Sequence, residues 1–113
     1  MISGVLEIEI MNAVWDLQSQ DEDSNISVGD IVDYLNNNNV ERAYTTIKTV
    51  MDRLVTKALL ARYKSGKKFF YRSTYDKVEV ARETLREVTD QFFGGSQLQL
   101  MRFVEKECDK MLV

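Results

Sequence analysis

The chain has no histidine, no proline and a single cysteine, Cys108, in 113 residues. Without histidine there can be no Ser-His-Asp or Cys-His nucleophilic system, no His-bound zinc and no His-bound haem. One cysteine rules out an intrachain disulfide and suits a reducing, cytoplasmic setting. Neither G-x-x-x-x-G-K nor G-x-G-x-x-G occurs, so no Gly-rich phosphate loop is present. No apolar run approaches the ~20 residues of a membrane span. Met1-Ile2-Ser3-Gly4 lacks the charged start and long apolar stretch of a signal peptide. Carboxylates remain as acid–base candidates, but they lie in charge-dense stretches that read as solvated surface. The expectation is a cytoplasmic protein that is not an enzyme, with no catalytic residues, no metal, no cofactor and no membrane.

Positive charge is the most informative scarcity. Residues 1–41 contain no Lys or Arg and nine carboxylates, a net −9. Residues 42–72 contain nine bases and one acid, Asp52, a net +8. Residues 73–113 have six bases and eight acids, a net −2. The overall −3 therefore hides a basic block able to seek a polyanion.

What is present is mostly helical periodicity. With 44% apolar residues the chain can bury a small core. Leu6, Ile10, Val14 and Leu17, widened by Met11 and Trp15, predict an amphipathic helix over 5–17, with Glu7, Glu9 and Asp16 off the stripe. Ser27 reads as an N-cap, supported by Asp30, for a second helix with Ile31, Tyr34 and Leu35 on its apolar face. The run Asn36–Asn39 ends it, because Asn tolerates the left-handed conformation. A third helix is predicted over 43–57, with Ile47, Val50, Met51, Leu54 and Ala58 on one face. The opposite face carries Thr45, Lys48, Thr49, Asp52 and Thr56. β-branched Thr lowers helix propensity, and small hydroxyls there suit close approach to something polar.

The period then changes. Leu60–Tyr63 and Phe69–Arg72 are strand-like, and Gly66 can supply positive φ in the turn between them. A short strand at Asn25-Ile26 could pair with this hairpin. Further helices are predicted over 76–93 (Ala81, Leu85, Val88, Phe92) and 98–112 (Leu98, Met101, Val104, Cys108, then Met111 or Leu112). Gly94-Gly95 breaks them apart. Cys108 is expected as a buried small hydrophobe. The expected fold is mainly α with a small β-hairpin. A boundary near Ser73-Thr74 gives domains 1–73 and 74–113.

A helix-turn-helix followed by a hairpin is the layout of a winged helix. Its second helix enters a major groove and its wing follows the phosphates. Arg62, Lys64, Lys67, Lys68 and Arg72 crowd the hairpin, and Lys48, Arg53 and Lys57 share the block. The plain alternatives are a three-helix core with a solvated face and a soluble, charged turn. Two adjacent elements of one sign, flanked by the other, favour nucleic acid. Stacking of Tyr63, Phe69, Phe70 or Tyr71 on single-stranded bases is possible in principle, but alternation assigns half of them to packing. The two tail helices have no evident core to cover, and are expected to pair with a second copy or to pack back on the first domain.

Several segments together resemble the penicillinase-repressor (BlaI/MecI) family of winged-helix regulators, related to copper-responsive repressors. They are Glu9–Trp15, Thr45–Leu54, Lys57–Leu60, Phe93-Gly94-Gly95 with Leu98, and Phe103–Lys106, in that order. The resemblance implies a winged helix-turn-helix DNA-binding domain plus a C-terminal helical dimerisation region. It implies a homodimeric transcriptional repressor on a palindromic double-stranded operator. Thr45, Thr46, Lys48 and Thr49 would face the major groove, and Arg62, Lys64, Lys67 and Lys68 would serve the wing. Leu85, Val88, Phe92, Leu98, Met101 and Val104 would form the dimer contact. Arg102-Phe103 stands where the antibiotic-responsive branch is cut by a regulatory protease. Ala43-Tyr44 replaces the Ser-Pro that often opens the family's recognition helix, removing an N-cap hydroxyl. One cysteine cannot form the Cys-x-Cys cluster of the copper branch. The rival function is a winged-helix interaction module that docks an acidic partner protein.

Overall fold

Apolar residues at helical spacing produce three helices in the first half of the chain: α1 (Val5–Gln20), α2 (Val28–Asn37) and α3 (Tyr44–Thr56). The computed structural model describes residue 2 and residues 4–111. Two strands, β1 (Leu60–Ser65) and β2 (Lys68–Ser73), form an antiparallel hairpin. Helices α4 (Lys77–Phe92) and α5 (Gln97–Met111) follow. The chain divides into two compact units, Met1–Lys77 and Val78–Val113.

In the first unit α1, α2 and α3 pack on one another. Ile10, Met11, Ala13 and Val14 of α1 meet Ile31 and Leu35 of α2 and Ile47, Met51 and Leu54 of α3 in a buried core. Leu59, Leu60, Tyr71 and Ile26 extend it under the hairpin. Leu6 and Leu17, expected on the α1 stripe, are only half-buried. Glu7, expected in solvent, is buried at 2% exposure.

The helix ends follow local chemistry. Ser27 and Asp30 form a reciprocal capping box at the start of α2. Asn39, at φ 64°, ends α2, with Val40 N–H bonded to Leu35 O and Asn39 N–H to Asn36 O. The N-cap position of α3 is Ala43, which offers no side-chain cap. It ends in the same kind of motif, with Leu59 N–H on Leu54 O and Ala58 N–H on Val55 O. Here Ala58 holds φ 63°, a position where a Cβ costs about 1 kcal/mol.

The hairpin pairs Leu60 with Ser73 and Ser65 with Lys68, leaving the two-residue turn Gly66-Lys67. Gly66, at φ 65°, fills the first turn position, as a type II′ turn requires. The predicted third strand is a single bridge: Tyr71 N–H donates to Ile26 O at 2.8 Å. Gln18 of α1 anchors the far end, donating to Ser73 Oγ and accepting from Ser73 N–H.

In the second unit, Gly94 (φ 56°) and Gly95 (φ 80°) turn the chain between α4 and α5. The rings of Phe93 and Phe103 pack with centroids 5.3 Å apart. The residues buried in α4 are Val80 and Thr89. Ala81, Leu85 and Phe92 are exposed and Val88 is half-buried. Helix α5 buries none of its described residues. Cys108, expected inside, is exposed; Leu112 lies outside the described residues.

Candidate nucleic-acid interface

The face of α3 opposite the core is set by the same periodicity that fills the core. Ile47, Val50, Met51 and Leu54 point inward, so Thr45, Thr46, Lys48 and Thr49 must point outward, and all four are exposed. The Thr49 hydroxyl donates back to Thr45 O at 2.8 Å. That bond satisfies its proton within the helix. Thr56 does the same to Asp52 O at 3.2 Å. With no side chain capping the start of α3, the N–H groups of its first turn keep their partial positive charge.

The hairpin presents its charges by strand alternation. Arg62 and Lys64 share a face with Tyr71 and Phe69, their cross-strand partners. Tyr71 is buried at the base of that face, while Phe69 is half exposed at its rim. The Arg62 guanidinium lies 5.0 Å from the Phe69 ring centroid and the Lys64 ammonium 5.7 Å from it, both within cation–π range. Tyr63 and Phe70 pack against each other on the other face, 6.1 Å apart, and Tyr63 donates to Asn25 at 2.8 Å. Lys67 and Lys68 are exposed at the tip.

Between these elements lies a groove of about 530 Å³. Its walls are the start of α2 (Ser27, Val28, Gly29), Tyr44 and Lys48 of α3, and Arg62, Lys68, Phe69 and Tyr71 of the hairpin. Three cations and one helix N-terminus therefore line one concave surface, a chemistry suited to phosphate.

Two carboxylates form the ion pairs around α3, Asp52 with two cations and Glu7 with one. Asp52 Oδ2 accepts from Lys48 Nζ at 2.8 Å, and Asp52 Oδ1 accepts from Arg62 Nη1 at 3.2 Å and Tyr71 OH at 2.9 Å. Burial acts to raise the Asp52 carboxyl, but hydrogen bonds from Lys48 and Tyr71 and the charges of Lys48 and Arg62 hold it below 3.8. The same contact, added to burial, pushes the Tyr71 phenol up from 10 to about 12. The Glu7 pair departs from the sequence reading. Lys57 does not join the outward-facing cations: its ammonium binds both oxygens of buried Glu7, at 2.7 and 2.9 Å.

A raised phenol contributes stability that is complete below pH 10 and lost as pH rises through about 12. The native protein should therefore lose about 2 kcal/mol more than Tyr71→Phe over that window. Urea titrations at pH 9 and 12 measure it. Equal losses in the two proteins would show that Tyr71 is not linked to folding.

Sequence reasoning missed Asp52 as the centre of a network and Glu7 as a buried anchor. The Lys48–Asp52 spacing of four was legible as a helical pair. Nothing local announced Arg62, Tyr71 or Lys57 as partners. Among the described residues no group of acidic or thiol ligands could hold a metal, and no helix is long and apolar enough to cross a membrane.

Three helices, a hairpin after the third and an outward Thr/Lys helix face beside a basic ribbon define a winged-helix protein of the DNA-binding class. The model of the family described as Penicillinase repressor matches residues 3–111. A penicillinase repressor of Staphylococcus aureus is 28% identical over 105 residues, covering 92% of this chain and 78% of that protein. The chain belongs to the penicillinase-repressor family, and its class of function is transcriptional repression.

Proposed function

We propose that the protein represses transcription as a homodimer on a palindromic operator. Thr45, Thr46, Lys48 and Thr49 read base edges in the major groove, and Arg62, Lys64, Lys67 and Lys68 hold the flanking phosphates. The observation that carries this reading is the groove where α3 and the hairpin meet. It gathers cations from both elements, while the 41 residues before them carry only acids. A surface of one sign beside a helix of short polar side chains suits a duplex better than a globular acidic partner, which would not need a helix that fits a groove.

On this reading residues 1–73 bind DNA and residues 74–113 pair the subunits. Leu85, Phe92, Leu98, Met101 and Val104 are all exposed, and Val88 is half-buried. A helix such as α5 that buries none of its described apolar residues is stable only if a second surface covers it. The same tail offers a route to relief. Arg102 and Phe103 lie on exposed turns of α5, so a regulatory protease that opens the helix locally would cut there and weaken the dimer. Its sign would be a stable fragment ending at Arg102, formed only under induction.

Selection from a pool of random duplexes, with light scattering on the free protein, tests the proposal. The expected products are inverted repeats with half-sites about one helical turn apart and a dimeric mass at micromolar concentration. A monomer that selects a single half-site would overturn the dimer. No retarded duplex at low salt would leave the acidic-partner reading in its place.

A further inference from the structure

Asp52 is the one acid among residues 42–72, and it sits where an acid is costly. A carboxylate next to a polyanion repels it, and the Asp52 side chain remains 32% exposed between Lys48 and Arg62. Yet it is held firmly. Its Oδ1 accepts from Tyr71 OH, and Tyr71 is 1% exposed with its own N–H tied to Ile26. The carboxylate is thus fixed to the core, and from that point it takes Lys48 of α3 with one oxygen and Arg62 of β1 with the other. The Arg62 guanidinium also lies 5.0 Å from the Phe69 ring centroid, within cation–π range. One anchored acid therefore fixes a helix cation and a hairpin cation relative to each other.

We propose that Asp52 is a positioning residue that fixes Lys48 against Arg62 and so sets how strongly the protein prefers its operator over other DNA. This rests on the DNA-binding reading of the groove. Two physical effects combine. A tethered Lys48 presents its ammonium in one direction, so it rewards one arrangement of base edges and phosphates. The exposed carboxylate penalises any phosphate that approaches out of register, which is discrimination by repulsion. Freed from Asp52, both cations would find phosphates on any sequence.

The test compares the wild type with Asp52→Asn and Asp52→Glu. Kd is measured on a duplex selected by the wild type and on a scrambled duplex of the same length, across salt. Asp52→Asn removes one negative charge and both ionic tethers. It should bind the scrambled duplex more tightly at low salt, with a salt slope steeper by about 1. Its operator preference should fall about tenfold, the discrimination that a single base-edge interaction supplies. Asp52→Glu keeps the charge but displaces the carboxylate. It should bind the scrambled duplex like the wild type and still lose operator preference, and it carries the test if Asp52→Asn does not fold. A merely structural role would weaken binding to both duplexes alike, and that result overturns the proposal. So does an unchanged preference in Asp52→Glu. A wild type that selects no duplex removes the groove reading itself, and with it this proposal.

Discussion

Replacing Lys57 with methionine should destabilise the protein by about 3–5 kcal/mol, more than replacing its partner Glu7 with glutamine. The asymmetry follows from burial. The Glu7 side chain is 3% exposed and that of Lys57 29%. Losing Lys57 takes two charge-assisted hydrogen bonds from a carboxylate inside the core, where a charge is costly. Losing the Glu7 charge leaves an ammonium that can still reach water. The deficit of Lys57→Met should therefore shrink as pH falls, because protonating a buried carboxylate removes the charge that the lost ammonium had offset. In a domain stabilised by only about 5–15 kcal/mol, the change should be visible as a large drop in Tm. The double variant Glu7→Leu/Lys57→Met should recover most of the loss, since an apolar pair of similar volume often matches a buried ion pair. Urea unfolding at pH 5 and pH 7.5 distinguishes these cases. If the two single variants lose equally at both pH values, the pair is a surface contact in solution. Lys57→Ala should also leave the salt slope of DNA binding unchanged, because its ammonium is already committed to Glu7.

The second large effect separates affinity from choice. Changing Lys64, Lys67 and Lys68 together to alanine should flatten the dependence of log Kd on log salt by about 2.7, roughly 0.9 for each phosphate that is no longer neutralised. Between 50 and 200 mM salt the wild type would then lose about 40-fold more affinity than the triple variant. Binding should weaken to a similar degree on every sequence. Thr46→Ala and Lys48→Ala should behave differently, shifting the preference between related operators by about 1–3 kcal/mol while changing the slope by at most about 1. Titrations on two duplexes at three salt concentrations provide both numbers. Identical behaviour of the hairpin and helix variants would show that the two elements do not divide the work.

The charge boundary at Arg42 and the period change after Leu60 were legible because both are local. So were the capping box of Ser27 and Asp30, the left-handed Asn39 and the turn at Gly66, each decided by residues within one turn of chain. The exposure of Thr45, Lys48 and Thr49 also followed from periodicity, since a helix that buries one face must present the other. The tail was legible only as faces. Its stripe of Ala81, Leu85, Val88 and Phe92 is largely exposed, and Val80 and Thr89 are the residues buried in α4. Periodicity identifies a face, but not whether this chain or a second surface covers it.

Local sequence set the order of elements, the caps of α2, the hairpin turn and the concentration of net positive charge in residues 42–72. Tertiary structure alone decided what each charge does. Glu7 and Lys57 are 50 residues apart, and Asp52 meets Tyr71 across 19. Such contacts depend on the angle at which helices cross and on how a hairpin is seated. Those are set by the packing of whole faces rather than by any local run of residues. That packing withdrew Lys57 from the basic surface, and it turned Asp52 from a lone acid in a basic block into the point that joins α3 to the hairpin.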